Sequence, residues 1–486
     1  MAFESSPRRA LVAFLVFAST VILVWFGNGL SPWWPLLWLA PLPVLWFSLR
    51  SSWLSAGLTA GLSWLAGSLN LWGYLRSQGT PFFVWLEIFS MAALVFALAV
   101  LLFRALALRG AVWSALLAFP AAWVSCEFTR NLISVHATAG SLAYTQLKFL
   151  AFLQLASITG PWGISFLLLL FPAALAIGLH LRKTAPKQAE RVVGAAVIVI
   201  VAVLFFGAVR LALPSPQQEV KVGLIASDDP ANVDIAAKGA DTDRLFRSYA
   251  RKAEQLAARG AQVIVLPEKI GLVPDSDNQS ADSIFQSLAD RTKSTIVVGE
   301  VHVSTSARYN QARVYTPDAP VMAYNKHHLL PPFESNLTVG SGLIVIPKPF
   351  EAWGVAICKD MDFTPLSRRY GRAGVGLMLV PAWDFNLDRT WHGHIAVMRG
   401  VEDGFSIIRA AKNGFLTVSD DRGRVLAEER SDSAPFVLLL AEAPVTHEST
   451  PYLVLGDWFG WFAIAALAFA ILQLYRLRRT SRVTLD

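Results

Sequence analysis

The stretch Trp353-Gly354-Val355-Ala356-Ile357-Cys358-Lys359-Asp360-Met361-Asp362-Phe363 runs apolar, partly β-branched residues straight into a cysteine and then into charge. A short buried strand that ends on a polar turn reads this way. Such a turn holds a side chain rigidly at a sheet rim, where a nucleophile can meet a substrate. Cys358 is one of two cysteines, and the other, Cys126, lies in an apolar segment. A strand-terminal cysteine by itself is more often a small buried apolar residue than a nucleophile, so any chemistry must come from its neighbours.

The same punctuation repeats on both sides of this stretch. Val220–Ala226 reads as a strand, and Asp241–Arg259 as a helix with Leu245, Tyr249, Ala253 and Leu256 on one face, stopped by Gly260. Gln262–Leu266 is a strand that Pro267 and Glu268 end, and Ser283–Arg291 is a short helix. Further strands are expected at Thr295–Val298, Ala312–Thr316, Val321–Tyr324, Leu343–Ile346 and Trp353–Ile357. Beyond the cysteine they follow at Gly376–Val380, Phe405–Arg409, Phe415–Ser419, Arg424–Ala427 and Phe436–Leu440, with a helix over Asp388–Asp403. Early alternation of strand and helix, then many strands, predicts an α/β layered domain over residues 218–445.

Outside that domain the composition changes. Of 486 residues 54% are hydrophobic and the mean hydropathy is +0.46, against roughly 45–50% apolar residues in a soluble domain. Eight predominantly apolar stretches stand out as candidate spans, at about 10–27, 33–49, 53–75, 82–103, 111–129, 161–181, 192–213 and 452–475. Each is near the roughly 20 residues a spanning helix needs. This predicts seven transmembrane helices in residues 1–217, the soluble domain, and a last helix with a tail in 446–486. A cleavable signal peptide is not expected, because no small-residue cleavage site follows Trp25-Phe26 and the apolar pattern continues.

Arg8, Arg9, Arg50, Arg104, Arg109, Arg182, Lys183, Lys187, Arg191, Arg476, Arg478, Arg479 and Arg482 fall on one side of these spans, with little beyond Arg76, Arg130 and Lys148 opposite. The positive-inside rule then predicts cytoplasmic termini and an extracytoplasmic soluble domain. The net charge of +7 is largely this fringe, so a nucleic-acid partner is not expected. Glu87 and Glu127 lie towards the outer ends of their helices and read as interfacial carboxylates rather than an ion path. The long, small-residue-rich run His136–Gln146 is suited to line a mouth beneath the domain.

Three elements of the domain end on reactive side chains: Glu268, Lys326 and Cys358. A free thiol is only a few per cent thiolate at neutral pH, so a carboxylate acting as general base would activate it. A lysine beside the carbonyl oxygen would stabilise a tetrahedral oxyanion, and its charge also favours the thiolate. Glu, Lys and Cys are a sufficient set for acyl transfer, although their spacing alone is weak support.

The residues Leu266-Pro267-Glu268, Tyr324-Asn325-Lys326-His327-His328-Leu329 and Ala356-Ile357-Cys358-Lys359-Asp360 resemble the three catalytic blocks of the nitrilase (carbon–nitrogen hydrolase) superfamily. More closely, the chain resembles the apolipoprotein N-acyltransferase family, the membrane branch. The run from Gln154 to Phe166 and the run Thr450-Pro451-Tyr452 to Trp458 agree with it. The resemblance implies eight membrane helices plus a nitrilase-like α-β-β-α sandwich, with Glu268 as general base, Lys326 as oxyanion stabiliser and Cys358 as nucleophile. It places Glu334 where a supporting glutamate is expected, Asp360 just past the nucleophile, and Glu402 where a structural glutamate follows Arg399. It implies a bacterial cytoplasmic (inner) membrane enzyme without cofactor. Its partners would be a phospholipid acyl donor and a lipid-modified apolipoprotein acceptor.

Several positions depart from the family. Lys359 and Asp360 replace its usual Tyr and Glu, Pro332-Phe333-Glu334 lacks its glycine, Ala226–Pro230 replaces a glutamine–asparagine motif, and Pro381–Phe385 replaces an asparagine-rich run. Two other readings therefore stand beside acyl transfer to a lipoprotein: a membrane-tethered amidase or acyltransferase with another amide or amine, and a non-catalytic lipid-binding scaffold. No metal is expected. Asp360 with Asp362 reads as hydrogen-bonded loop acids, and His392 with His394 lacks a third ligand at recognisable spacing.

Overall fold

The strand that ends at the cysteine lies inside a two-sheet domain, and the alternation of its side chains shows how. The computed structural model describes residues 7–214, 218–348, 351–445 and 447–483; the expected domain boundaries at 217 and 446 fall on residues outside this set. The chain forms two units, one of Met1–Ser134, Gly140–Arg210 and Asp457–Asp486, the other of Val135–Ala139 and Leu211–Gly456.

In the first unit, six helices among the described residues are long and apolar enough to cross a bilayer: Pro7–Gly27, Phe82–Ala107, Val112–Ile133, Pro161–Leu181, Pro186–Ala212 and Trp458–Arg479. The other two of the eight expected spans are shorter pieces. The span at 33–49 is split into Trp34–Leu37 and Leu42–Ser48, where Pro35, Pro41 and Pro43 remove backbone donors, and that at 53–75 is the 16-residue helix Trp53–Ser68 followed by single turns. Trp64, Phe96 and Trp123 interlock in the interior, with ring centroids 4.3 and 4.6 Å apart. Leu11, Phe14, Ile198 and Phe205 are exposed outward, as lipid-facing residues of a membrane protein are. Glu127 is fully engaged in a local cap: it accepts from Trp123 Nε1 at 2.9 Å, Ser141 Oγ at 3.1 Å and Leu142 N at 2.9 Å. Glu87 is exposed.

In the second unit the described residues form thirteen strands in two sheets. The first contains β1 (Glu219–Ala226), β2 (Val263–Val265), β3 (Leu272–Pro274), β4 (Thr295–Val303), β5 (Arg308–Tyr315), β6 (Met322–Asn325) and β13 (Val437–Pro444). Its order is β13-β1-β2-β4-β5-β6, with β3 alongside β4. The second contains β7 (Ile344–Ile346), β8 (Ala352–Val355), β9 (Val375–Trp383), β10 (Ser406–Lys412), β11 (Phe415–Ser419) and β12 (Val425–Arg430), in the order β12-β11-β10-β9-β8-β7. Every strand expected from the sequence is present; β3, three residues long and ending on a proline, was too short to read.

Side chains alternate between two apolar layers. Val355, Leu377, Leu379 and Ile408 meet Val222, Leu224, Val265 and Val314 between the sheets. The next residues along, Ala356, Met378, Val380 and Ile407, face Leu366 and Tyr370 of helix Thr364–Arg372 and Ala396 of helix Trp391–Asp403. On the far side, helices Ala240–Ala258 and Asn278–Thr292 cover the first sheet with Leu245, Phe246, Tyr249 and Phe285. The layering is α-β-β-α, and it explains the uninterrupted apolar run of β9, which is buried on both faces; β10 is buried along its whole length as well, although it carries Arg409 and Lys412. Each such side chain contributes roughly 1.5–3 kcal/mol by leaving water.

Candidate active site

The three reactive residues sit where strands run out. Glu268 follows β2 and donates its backbone N–H to Ala382 O of β9 at 3.2 Å, so the general-base candidate is stitched across to the other sheet. Lys326 follows β6, and its backbone is held on both sides, N to Asn310 O at 2.9 Å and O from Gly340 N at 2.8 Å. Cys358 opens the 3-10 turn Cys358–Asp362 after β8 and takes a left-handed φ of +43°; Lys269, next to Glu268, has φ +51°. Non-glycine residues in this region cost on the order of 1–3 kcal/mol and need surroundings that over-determine them. Gly299 is one such device: a Cβ there would stand 2.6 Å from Glu268 Cα.

Lys326 Nζ lies 2.9 Å from Glu268 Oε1 and 2.9 Å from Glu334 Oε2, all three side chains being buried. Lys269 Nζ closes on Glu334 Oε1 at 2.7 Å, and Asn310 Nδ2 donates to Glu268 Oε1 at 2.5 Å and to Glu334 Oε1 at 2.6 Å. Among the described residues Glu268 Oε2 has no hydrogen-bond partner. Burial opposes charge on Lys326, but the two carboxylates outweigh it and hold the ammonium protonated. Burial likewise works to raise the Glu334 carboxyl, yet Lys326 and Lys269 pull it down to about 2.

Cys358 Sγ points to Trp383 O at 3.8 Å. Burial, then Glu268, push its pKa up against the pull of Lys326. The thiolate expected from the lysine's charge is therefore not the resting form; the sulfur is a thiol that must lose its proton as it reacts.

Asp360 ties the lysine loop to the cysteine turn. Its Oδ1 accepts from His327 N at 3.2 Å and His328 N at 2.9 Å and faces His328 Nδ1 at 3.0 Å. Its Oδ2 accepts from Tyr324 Oη at 2.7 Å and Ile357 N at 3.2 Å. The shorter aspartate thus reaches every partner a bridge between the two loops needs. Glu402 lies apart from this cluster: it is buried, accepts from Arg399 Nη2 at 2.7 Å, and receives the Thr450 hydroxyl on its carbonyl.

The chain is similar to known proteins along most of its length. Residues 22–174 match the family described as apolipoprotein N-acyltransferase N-terminal domain, and residues 231–435 match the carbon-nitrogen hydrolase family. Curated relatives called apolipoprotein N-acyltransferase align over almost the whole chain. That of Geobacter metallireducens is 28% identical over 98% of this chain and 97% of its own, and that of Shewanella oneidensis is 25% identical over 98% and 96%. The chain belongs to the apolipoprotein N-acyltransferase family. Among solved structures, Saccharomyces cerevisiae Nit3 of the nitrilase superfamily is 20% identical with a TM-score of 0.39, covering 47% of this chain and 90% of its own. An amidase from Nesterenkonia sp. is 20% identical with a TM-score of 0.39, covering 46% and 90%.

In this member of the apolipoprotein N-acyltransferase family, sequence reading missed four side chains at the site. Asn310 carried no signal of its own, because β5 also holds Arg308, Gln311 and Arg313, and its amide does not stand out among them. Asp384 holds Arg409 in a bidentate pair at 2.6 and 2.8 Å, and both are buried. Lys412, paired in register with Trp383, donates to Lys269 O at 3.2 Å and lies 3.6 Å from the Trp383 ring centroid, in cation–π range. Lys412 is fully buried, and burial, then Lys269, lower its pKa from 10.5 to about 7.

That shift has a definite sign. Between pH 7 and 10.5 the unfolded chain keeps a proton on Lys412 that the folded chain releases, so stability should rise with pH across this window. Lys412→Met removes the term. Its melting temperature relative to the parent should be highest near pH 7 and should lose ground steadily towards pH 10. Parallel curves for the two proteins would show that Lys412 does not titrate in the fold.

Proposed function

We propose that the protein is a membrane N-acyltransferase that moves an acyl chain from a phospholipid, through a thioester on Cys358, to the N-terminal amine of an apolipoprotein. The observation that carries this reading is the buried Glu268–Lys326–Glu334 cluster, tied through Asp360 to the Cys358 turn. The full-length likeness to the acyltransferases named above supports the choice of substrates.

In the first half-reaction the thiol sulfur attacks the phospholipid ester carbon while its proton passes to Glu268, whose Oε2 has no hydrogen-bond partner among the described residues. The carbonyl oxygen becomes an oxyanion opposite the Lys326 ammonium, which its two carboxylates keep charged. Collapse breaks the ester C–O bond, and the departing lysophospholipid oxygen takes the proton back from Glu268. In the second half the neutral α-amine of the acceptor attacks the thioester. Glu268 removes the surplus amine proton and returns it to the leaving sulfur, restoring the thiol.

On this reading Glu334 and Asn310 hold Lys326 and Glu268 in register, and Asp360 holds the two loops together. The domain over residues 218–445 lies on the extracytoplasmic side of the inner membrane and both termini are cytoplasmic, in keeping with the distribution of arginine and lysine.

Intact-protein mass spectrometry tests it. Incubation with phospholipid and no acceptor should add one acyl mass, mapped to Cys358. A synthetic peptide beginning with diacylglyceryl-cysteine should then gain that mass while the protein loses it. Free fatty acid released with no gain on the peptide would make the protein a hydrolase, and no acyl mass at all would leave a scaffold.

A further inference from the structure

The segment Val135–Ala139 lies in sequence between helix Val112–Ile133 and the short turn Leu142–Gln146, yet it is part of the unit that holds the reactive cysteine. It touches the turn that opens on Cys358. Thr138 donates twice to Asp362 O, from Oγ1 at 2.7 Å and from its backbone N at 3.4 Å. His136 Nδ1 lies 3.3 Å from Lys359 Nζ. An ammonium can only donate, so the ring nitrogen accepts and the imidazole proton sits on Nε2. Ala137 between them is buried and left-handed, at φ +42°.

Both turn residues gripped in this way are themselves buried and paired. Lys359 Nζ is 3.2 Å from Asp362 Oδ2, so the ion pair spans the turn from the residue after the nucleophile to its last member. His392 stands 3.8 Å from Asp362 and 3.1 Å from Asp388, and Asp388 accepts from Phe385 N at 2.9 Å in the segment after β9. Asp360 fastens the same turn to the lysine loop. The left-handed Cys358 is thus the first residue of a turn held from two directions, and only one of these comes from the hydrolase-like sequence blocks.

We propose that His136 and Thr138 are positioning residues for acyl transfer: through Lys359 and Asp362 they hold the 3-10 turn that presents the Cys358 sulfur. The inference rests on the function proposed above for its reaction but not for its geometry. Lys359 is one of the positions that departs from the family, and besides its ion pair with Asp362 this buried cation has a second partner in His136, more than two hundred residues away in sequence.

The test uses the full-length protein in membranes and pairs each loss with a conservative rescue. Thr138→Val removes the hydroxyl donor at nearly constant size, and Thr138→Ser keeps it. His136→Ala removes the acceptor, and His136→Asn places an amide oxygen near the position of Nδ1. Two rates are read at Cys358 by mass: acyl-enzyme formation from phospholipid, and alkylation by iodoacetamide. The His136→Ala/Thr138→Val pair should slow acylation on the order of tenfold or more, with the phospholipid KM unchanged, because a small misplacement of the attacking atom acts on the chemical step. Alkylation should change in parallel, and the His136→Asn/Thr138→Ser pair should recover most of both rates.

Parent rates in the first pair, or equal loss in both pairs, would overturn the proposal. If the double variant does not fold, Thr138→Val alone carries the same comparison against Thr138→Ser. If the parent itself forms no acyl-enzyme, the functional reading fails while the alkylation comparison still decides the inference.

Discussion

Cys358→Ser is expected to leave a folded protein that transfers acyl chains at least about three orders of magnitude more slowly than the parent. The change replaces one atom and keeps the left-handed backbone at φ +43°, so the fold and the turn should survive. What it removes is sulfur's ability to attack while surrendering its proton. The resting thiol is already held protonated by burial and by Glu268, and a hydroxyl in the same place, with an intrinsically higher pKa, asks still more of the same carboxylate. Acyl-enzyme should be undetectable by mass, and the melting temperature should stay within a few degrees of the parent. Turnover near the parent's would remove Cys358 from the reaction.

Lys326→Met should fail in two separable ways. The transition state loses its cation, which for a single oxyanion donor costs on the order of 3 kcal/mol, or about 10²–10³ in kcat. The folded state loses the ammonium that lies 2.9 Å from both Glu268 and Glu334, leaving two buried carboxylates with Lys269, Asn310 and the backbone N–H of Leu330 as their remaining partners. Breaking a buried ion pair from one side costs roughly 3–5 kcal/mol. Adding Glu334→Gln to Lys326→Met should relieve much of the instability, since one uncompensated charge is gone, and should restore none of the turnover. Chemical denaturation read beside acyl-enzyme formation separates the two effects. A double variant that regains activity would show that Lys326 acts only by neutralising its neighbours.

The order of strands and helices was legible because each element is a local matter. Apolar runs such as Gln262–Leu266 and Gly376–Val380 end on polar or proline residues, and those endings mark where strands stop. The same locality located Glu268, Lys326 and Cys358, each at a strand's end. It also misled about length in the membrane unit, where hydropathy alone could not show that prolines break the second span into two pieces. The bias of Lys326 on the thiol was correct in sign, but burial, which a sequence does not display, outweighs it.

The sequence by itself determined a membrane protein carrying one layered α/β domain, and it named three candidate residues for acyl transfer, since hydropathy and strand endings are written in consecutive residues. Only the tertiary structure decided what surrounds them. Asn310 reaches Glu268 from β5, two strands beyond β2, Lys412 closes on Trp383 from the strand beside β9, and His136 meets Lys359 across the chain. The first two contacts exist because sheet pairing sets strands from separate parts of the chain side by side, and the third because residues 135–139 join the unit that holds the cysteine; no spacing along the chain encodes either.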